Sequence, residues 1–129
     1  VILDSSAIVA ILLREPEADD LEARVAAAPV LGIGSPTFVE TLMVLSSRFG
    51  REEADRHLSG FLQRSEAVIV SFSEDHARAA AEAFARFGKG RHRAALNFGD
   101  CMSYAVAKLA GQPLLCTGSD FARTDLKLA

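Results

Sequence analysis

Apolar and polar positions along this chain alternate between two regimes, short β-branched runs and longer stretches with helical spacing. Val1 to Asp4 reads as a strand that ends on an acid, and Ser5-Ser6 then caps a helix running from Ala7 to Leu13. Glu17 to Ala28 is an amphipathic helix with Leu21 and Val25 one turn apart. Val30 to Gly34 is a brief strand, after which Ser35-Pro36 supplies a cap and a first-turn proline for a helix that reaches Phe49 and stops at Gly50. Arg51 to Arg64 is a polar-faced helix carrying Leu58, Phe61 and Leu62, and Val68-Ile69-Val70 reads as a strand of the buried type. Ser73 caps an Ala-rich helix to Phe87, Asn97 caps another that ends near Gly111, Pro113 to Thr117 is a last strand, and Ser119 to Thr124 is turn-like.

Strands that alternate with helices predict an α/β fold, a central parallel sheet flanked by helices as an α/β/α sandwich. The 129 residues suit one domain spanning 1–129, with no repeat, linker or low-complexity tract. Half the residues are hydrophobic and 24% are charged, which excludes a disordered or collagen-like chain.

Net charge is −3, so the molecule as a whole does not attract polyanions, and any nucleic-acid contact needs a local basic patch. No apolar run approaches the roughly 20 residues of a membrane span. The opening shows no signal-peptide pattern and, with no initiating Met, has been trimmed or begins one residue late. Cys101 and Cys116 are the only cysteines, without CxxC or a Cys/His cluster, and read as two reduced core thiols in a cytoplasmic protein.

Three acids are out of place. Asp4 is the only charge in residues 1–13, Glu40 the only one in 36–47, and Asp100 the only one in 94–107, all segments that otherwise read as buried. At helical spacing Glu40 sits among Pro36, Val39, Met43, Val44 and Ser47, an apolar stripe with one carboxylate in it. A buried carboxylate is tolerated when it is paired or holds a metal, and no base lies in these windows.

Each acid also has a plain structural reading. Asp4 could cap the first helix, and Asp100, three residues after Asn97, could be the acidic half of a capping box. A long-range salt bridge could satisfy Glu40, and Asp120 could be an ordinary turn aspartate. Together, however, the four make an all-oxygen site, which suits Mg²⁺, or Mn²⁺ as its substitute, better than Zn²⁺. Acid-held ions of that kind promote in-line displacement at phosphodiesters. The basic patch required by the charge balance is Lys89-Gly90-Arg91-His92-Arg93, just before the helix of Asp100, where phosphate binding competes with a merely solvated loop. His57 and His76 read as surface or boundary residues.

Taken in order, Val1-Ile2-Leu3-Asp4-Ser5-Ser6-Ala7, Glu40 after Ser35-Pro36-Thr37, Leu96-Asn97-Phe98-Gly99-Asp100-Cys101 and Leu114 to Phe121 resemble the PIN-domain ribonucleases. Within that family they are similar to the VapC-type toxins of toxin–antitoxin pairs, and the Gly88 to Asp100 segment looks like one subgroup of these.

The resemblance implies a metal-dependent endoribonuclease with Asp4 and Asp100 as principal Mg²⁺ ligands. Glu40 would complete the pocket and activate water, and Asp120 would support the second side. Ser6 would orient Asp4 from behind, with Thr117 in a similar supporting place. Lys89, Arg91, His92 and Arg93 would bind RNA, expected to be a structured RNA such as a tRNA. A VapB-type antitoxin and a homodimer are implied as partners, with Leu42, Met43 and Leu45 or the first helices as available apolar surface. The chain departs from the family at Gly118, where many members carry an acid, so one metal ion or two stays open. Rival readings are a PIN-like module that binds RNA or protein without catalysis, and a haloacid-dehalogenase-type phosphatase. The latter family wants a second acid two residues after the first, where this chain has Ser6.

Overall fold

In the computed structural model, which describes residues 1–129, four short runs pair in parallel: β1 (Ile2–Leu3), β2 (Gly32–Gly34), β3 (Val68–Val70) and β4 (Leu114–Leu115). Their order across the sheet is β3-β2-β1-β4, with Ile2 opposite both Gly32 and Leu114. Six helices fill the connections: α1 (Ser5–Leu12), α2 (Ala18–Ala27), α3 (Ser35–Phe49), α4 (Arg51–Arg64), α5 (Glu74–Phe87) and α6 (Phe98–Ala110). A 3-10 turn covers Phe121–Arg123.

Because successive side chains on a strand point to opposite faces, each two-residue strand serves two cores. Leu3 and Leu115 pack on one side with Ile8, Leu21, Leu45 and Leu58. Ile2 and Leu114 pack on the other with Ala83, Leu96, Tyr104 and Phe121. Helices therefore cover both faces, which is the α/β/α sandwich expected. Strand order reverses beside β1, so the carboxyl ends of β1 and β4 flank the crevice where ligands of such sheets bind. No helix is long and apolar enough to cross a membrane.

Three local expectations change. The first helix begins at Ser5 and is capped by the carboxylate of Asp4, not by a serine hydroxyl. Likewise Gly34 is the cap of α3, and Ser35 is already helical. The β3 strand is not buried: it lies at the sheet edge, with Val68 56% and Ile69 52% exposed. On the opposite edge β4 is covered by the chain's own end through a bridge between Leu114 and Leu128.

The stripe around Glu40 is also turned the other way from the expectation. Val39, Met43 and Val44 face solvent, whereas α3 buries Thr37, Thr41 and Leu45. Polar residues can occupy the inner face here because their hydroxyls are paired. Thr41 donates to the Thr37 carbonyl at 2.7 Å, and the Thr37 and Ser103 hydroxyls meet at 3.0 Å. Leu45 is thereby core and unavailable to a partner, and Met43 is available.

Candidate functional site

Asp4 leaves β1 at the point where the strand becomes a helix, and it is buried there. Its Oδ2 accepts the Ser6 N–H at 3.0 Å and the Ser6 hydroxyl at 2.5 Å. That hydroxyl in turn accepts the backbone N–H of Thr117, just past β4, at 3.1 Å. Ser6 thus stitches the carboxyl ends of β1 and β4 together through Asp4, and Thr117 takes part through its backbone rather than its side chain.

Glu40 reaches the same crevice from α3. Its Oε1 accepts the hydroxyl of Ser5, and its Oε2 lies against the backbone of Gly99. A Cβ built on Gly99 would fall 1.8 Å from Oε2, so only glycine lets the two helices bring Glu40 beside Asp100. One helical turn before Glu40 on α3 and one turn after Asp100 on α6, the buried Thr37–Ser103 pair ties the two helices together and fixes their relative height.

Asp100 occupies the first turn of α6 and forms a reciprocal box with the cap residue. The Asn97 N–H donates to Asp100 Oδ2 at 2.9 Å, and the Asp100 N–H donates to Asn97 Oδ1 at 2.8 Å. Both plain structural readings, Asp4 as a cap and Asp100 in a box, hold as geometry. Each uses only Oδ2; the Oδ1 of Asp4 and of Asp100 accept no hydrogen bond from the protein.

Burial pushes the Asp100 carboxyl up to about 6, against the pull of the Asn97 N–H, and the charges of Asp4, Glu40 and Asp120 add to the rise. Asp4, Glu40 and Asp120 therefore each lie within electrostatic reach of Asp100. Every salt bridge of the molecule lies elsewhere, at exposed side chains such as Arg14–Asp19 and Lys108–Asp125, so the salt-bridge reading of Glu40 fails. Asp120 sits exposed at the rim, just before the 3-10 turn, and caps nothing with its side chain.

Cys116 is not the plain core thiol expected. It borders the crevice, where burial and then the charges of Asp4, Asp100 and Asp120 push its thiol up to about 12. At neutral pH it is a neutral thiol, neither nucleophile nor soft metal ligand.

Would this set suit a divalent ion? The free donors are carboxylate oxygens, the hard ligands that Mg²⁺ and Mn²⁺ take. No three acidic, histidine or cysteine side chains converge into a complete cage. Mg²⁺ commonly binds through one or two carboxylates and keeps its waters, so the unbonded Oδ1 atoms of Asp4 and Asp100, with two further acids, are donors of the kind it takes.

The basic loop lies between α5 and α6. Lys89, Arg91 and Arg93 are exposed. His92 departs from the expectation, since its ring turns inward, edge-on to Phe87 at 5.2 Å, and its Nδ1 accepts the Ala94 N–H. The loop is tied to the 3-10 turn that follows Asp120, with Arg123 donating to the Arg93 carbonyl at 3.1 Å. His76 completes a capping box with Ser73, and His57 lies against Phe49.

Ser5, Gly99, Thr37 and Ser103 escaped the sequence reading. Only Gly99 left a signal, a glycine in the first turn of a helix between a cap and an acid, where alanine would serve the helix better.

Comparison with known proteins adds to this geometry. A family model described as PIN domain matches residues 1–127. Ribonuclease VapC of Mycolicibacterium smegmatis is 49% identical over 125 residues, 97% of this chain and 96% of its own length. Ribonuclease VapC30 of Mycobacterium tuberculosis is 45% identical over 125 residues, 97% of this chain and 95% of its own.

Among solved structures, the Mycobacterium tuberculosis toxin VapC20, described as cleaving the sarcin-ricin loop, superposes with a TM-score of 0.80 at 18% identity, covering 99% of this chain and 97% of that one. VapBC2 of Rickettsia felis, bound to promoter DNA, gives 0.77 at 19%, covering 99% and 96%. At such identities the two structures speak for the fold.

Proposed function

This chain belongs to the PIN-domain family, among relatives named VapC ribonucleases, and on that premise we propose that it is a VapC-type toxin, an endoribonuclease that cuts structured RNA such as tRNA in the cytoplasm. Translation and growth stop until a VapB-type antitoxin covers the site. The observation that carries this reading is that Asp4, Glu40 and Asp120, from three other segments, all act on the carboxyl of Asp100, and that none of the four forms a salt bridge.

Asp4 and Asp100 would hold Mg²⁺, or Mn²⁺ in its place, through their free oxygens, with Glu40 and Asp120 beside them. When bound, such an ion stabilises charge on the attacking and leaving oxygens of an in-line displacement. The remaining work belongs to the chain. Ser6 holds Asp4 in one rotamer, and Ser5 holds Glu40. Glu40 would take the proton of the attacking water. Lys89, Arg91 and Arg93 bind flanking phosphates and set the register of the RNA.

For partners, the exposed Val39 and Met43 beside Glu40 offer apolar surface to a second copy or to the antitoxin. The Rickettsia felis structure holds a VapBC pair, which supports an antitoxin here.

The test is cleavage of a total tRNA pool by the purified protein with Mg²⁺ or Mn²⁺, against EDTA and Asp100→Asn. Cleavage that needs the metal and disappears in the variant is expected. An Asp100→Asn protein that still cuts at full rate would remove Asp100 from the reaction.

A further inference from the structure

We propose that the apolar groove between α5 and α6 receives an unpaired nucleobase of the RNA, stacked on Phe98 while the adjoining phosphate lies among the acids. This rests on the RNA-cleaving reading and adds where the substrate's base is held. Phe98 is 79% exposed although it opens α6, two positions before Asp100. A phenyl ring in water at the first turn of a helix contributes nothing to the core.

Its surroundings give it a use. Phe98 joins Phe72, Phe84, Cys101 and Met102 in lining a groove of about 500 Å³ whose walls are wholly hydrophobic. Cys101 and Met102 stand behind Phe98, three and four positions on along α6. The pocket is open at the surface, since Phe84 is also exposed.

Chemistry of the rim selects the occupant. The Arg91 guanidinium lies 5.4 Å from the centroid of the Phe84 ring, so the basic loop reaches the groove itself. Lys89 and Arg93 are exposed on the same loop. Aromatic walls under a cationic rim suit a group that is flat and apolar on its faces and carries a phosphate at its edge. Proteins that bind single-stranded nucleic acid combine those two elements, stacking platforms and a positive groove.

Position agrees. Two positions on a helix turn the side chain by about 200°, so Phe98 and Asp100 diverge from one turn. The ring cannot touch the phosphate held at Asp100, but it can hold a neighbouring base.

The chain has no tryptophan, so Phe98→Trp installs a single fluorescent reporter. In the full chain carrying Phe98→Trp and Asp100→Asn, titration with tRNA in Mg²⁺ is expected to quench the Trp emission saturably. Absence of quenching, while filter retention shows the RNA bound, overturns the proposal.

In the cleavage assay Phe98→Ala is expected to lose about 10- to 100-fold in kcat/KM, mainly through KM. Phe98→Tyr should stay near wild type, and Phe98→Leu should resemble the alanine variant. Rescue by leucine would show plain apolar packing and overturn the stacking role, as would a fall in Tm of Phe98→Ala that matches its loss of activity. Unchanged cleavage by Phe98→Ala together with lost inhibition by the antitoxin would make the groove a protein-docking site and overturn it too. A wild-type protein that cuts no RNA with any metal defeats the nuclease reading instead, and the Trp titration, which needs binding alone, still decides the groove.

Discussion

Thr37 and Ser103 hold their hydroxyls 3.0 Å apart in the buried seam between α3 and α6, one turn before Glu40 on α3 and one turn after Asp100 on α6. Sixty-six positions separate them in sequence, and the bond sets how far one helix slides along the other. Ser103→Ala leaves the Thr37 hydroxyl buried without this partner, which costs about 1–3 kcal/mol. Adding Thr37→Val removes the orphaned group, so the double variant is expected to recover part of that loss. Urea unfolding of all four proteins measures the coupling, and strict additivity would show that the pair does not interact.

Gly99→Ala tests the close approach beside the acids. Its Cβ would meet Glu40 Oε2 at 1.8 Å, so the carboxylate must leave its place. Alanine suits a helix better than glycine, so the melting temperature should hold. Activity should fall about 100-fold, the usual effect of displacing a reacting group by about 1 Å. Activity near wild type would mean that Glu40 moves without consequence.

Asp100 links acidity to both metal and stability. Its folded carboxyl sits at about 6, above the ordinary 3.8, because burial and then the neighbouring acids disfavour its charge. The folded state therefore binds this proton more tightly than the unfolded chain. In metal-free protein its contribution to stability falls as pH rises from the unfolded value through about 6. Asp100→Asn should then melt higher than wild type at pH 7.5 in EDTA, by about 4 °C if the relief is about 1 kcal/mol. At pH 4 the two should converge. Divalent ions must displace the proton below about pH 6, so Mn²⁺ binding followed by calorimetry should weaken there.

The basic loop should act through salt-sensitive contacts. Lys89→Ala and Arg93→Ala are expected to weaken RNA binding at every sequence alike. Each should make the plot of log affinity against log salt shallower by about 0.7. His92→Ala, by contrast, should lower stability more than affinity, because the ring packs on Phe87 and accepts the Ala94 N–H. An unchanged salt slope for Lys89→Ala would take that side chain off the RNA.

Asp4, Glu40 and Asp100 drew notice because each stands alone in an apolar window, and a charge without company is conspicuous in one dimension. What orients them was not. Ser5, Thr37 and Ser103 are common residue types, and their value lies in pairing across the fold, which no local pattern carries. The α3 stripe misled for a related reason: apolar spacing marks a face, but says nothing about whether that face turns inward. Here paired threonines took the interior and left Val39 and Met43 outside. Val68-Ile69-Val70 reads as a central strand because residue type does not encode rank within a sheet.

That misplaced strand bears on how the protein keeps to itself at high concentration. An uncovered strand rim is a template on which a neighbouring molecule can add its own backbone, and a bare run of β-branched residues invites such growth into fibrils. The far rim is shielded by the chain's own tail through Leu128. On the β3 side the defence is brevity: three residues, Val68–Val70, leave an intruding chain too few bonds to offset the cost of ordering it.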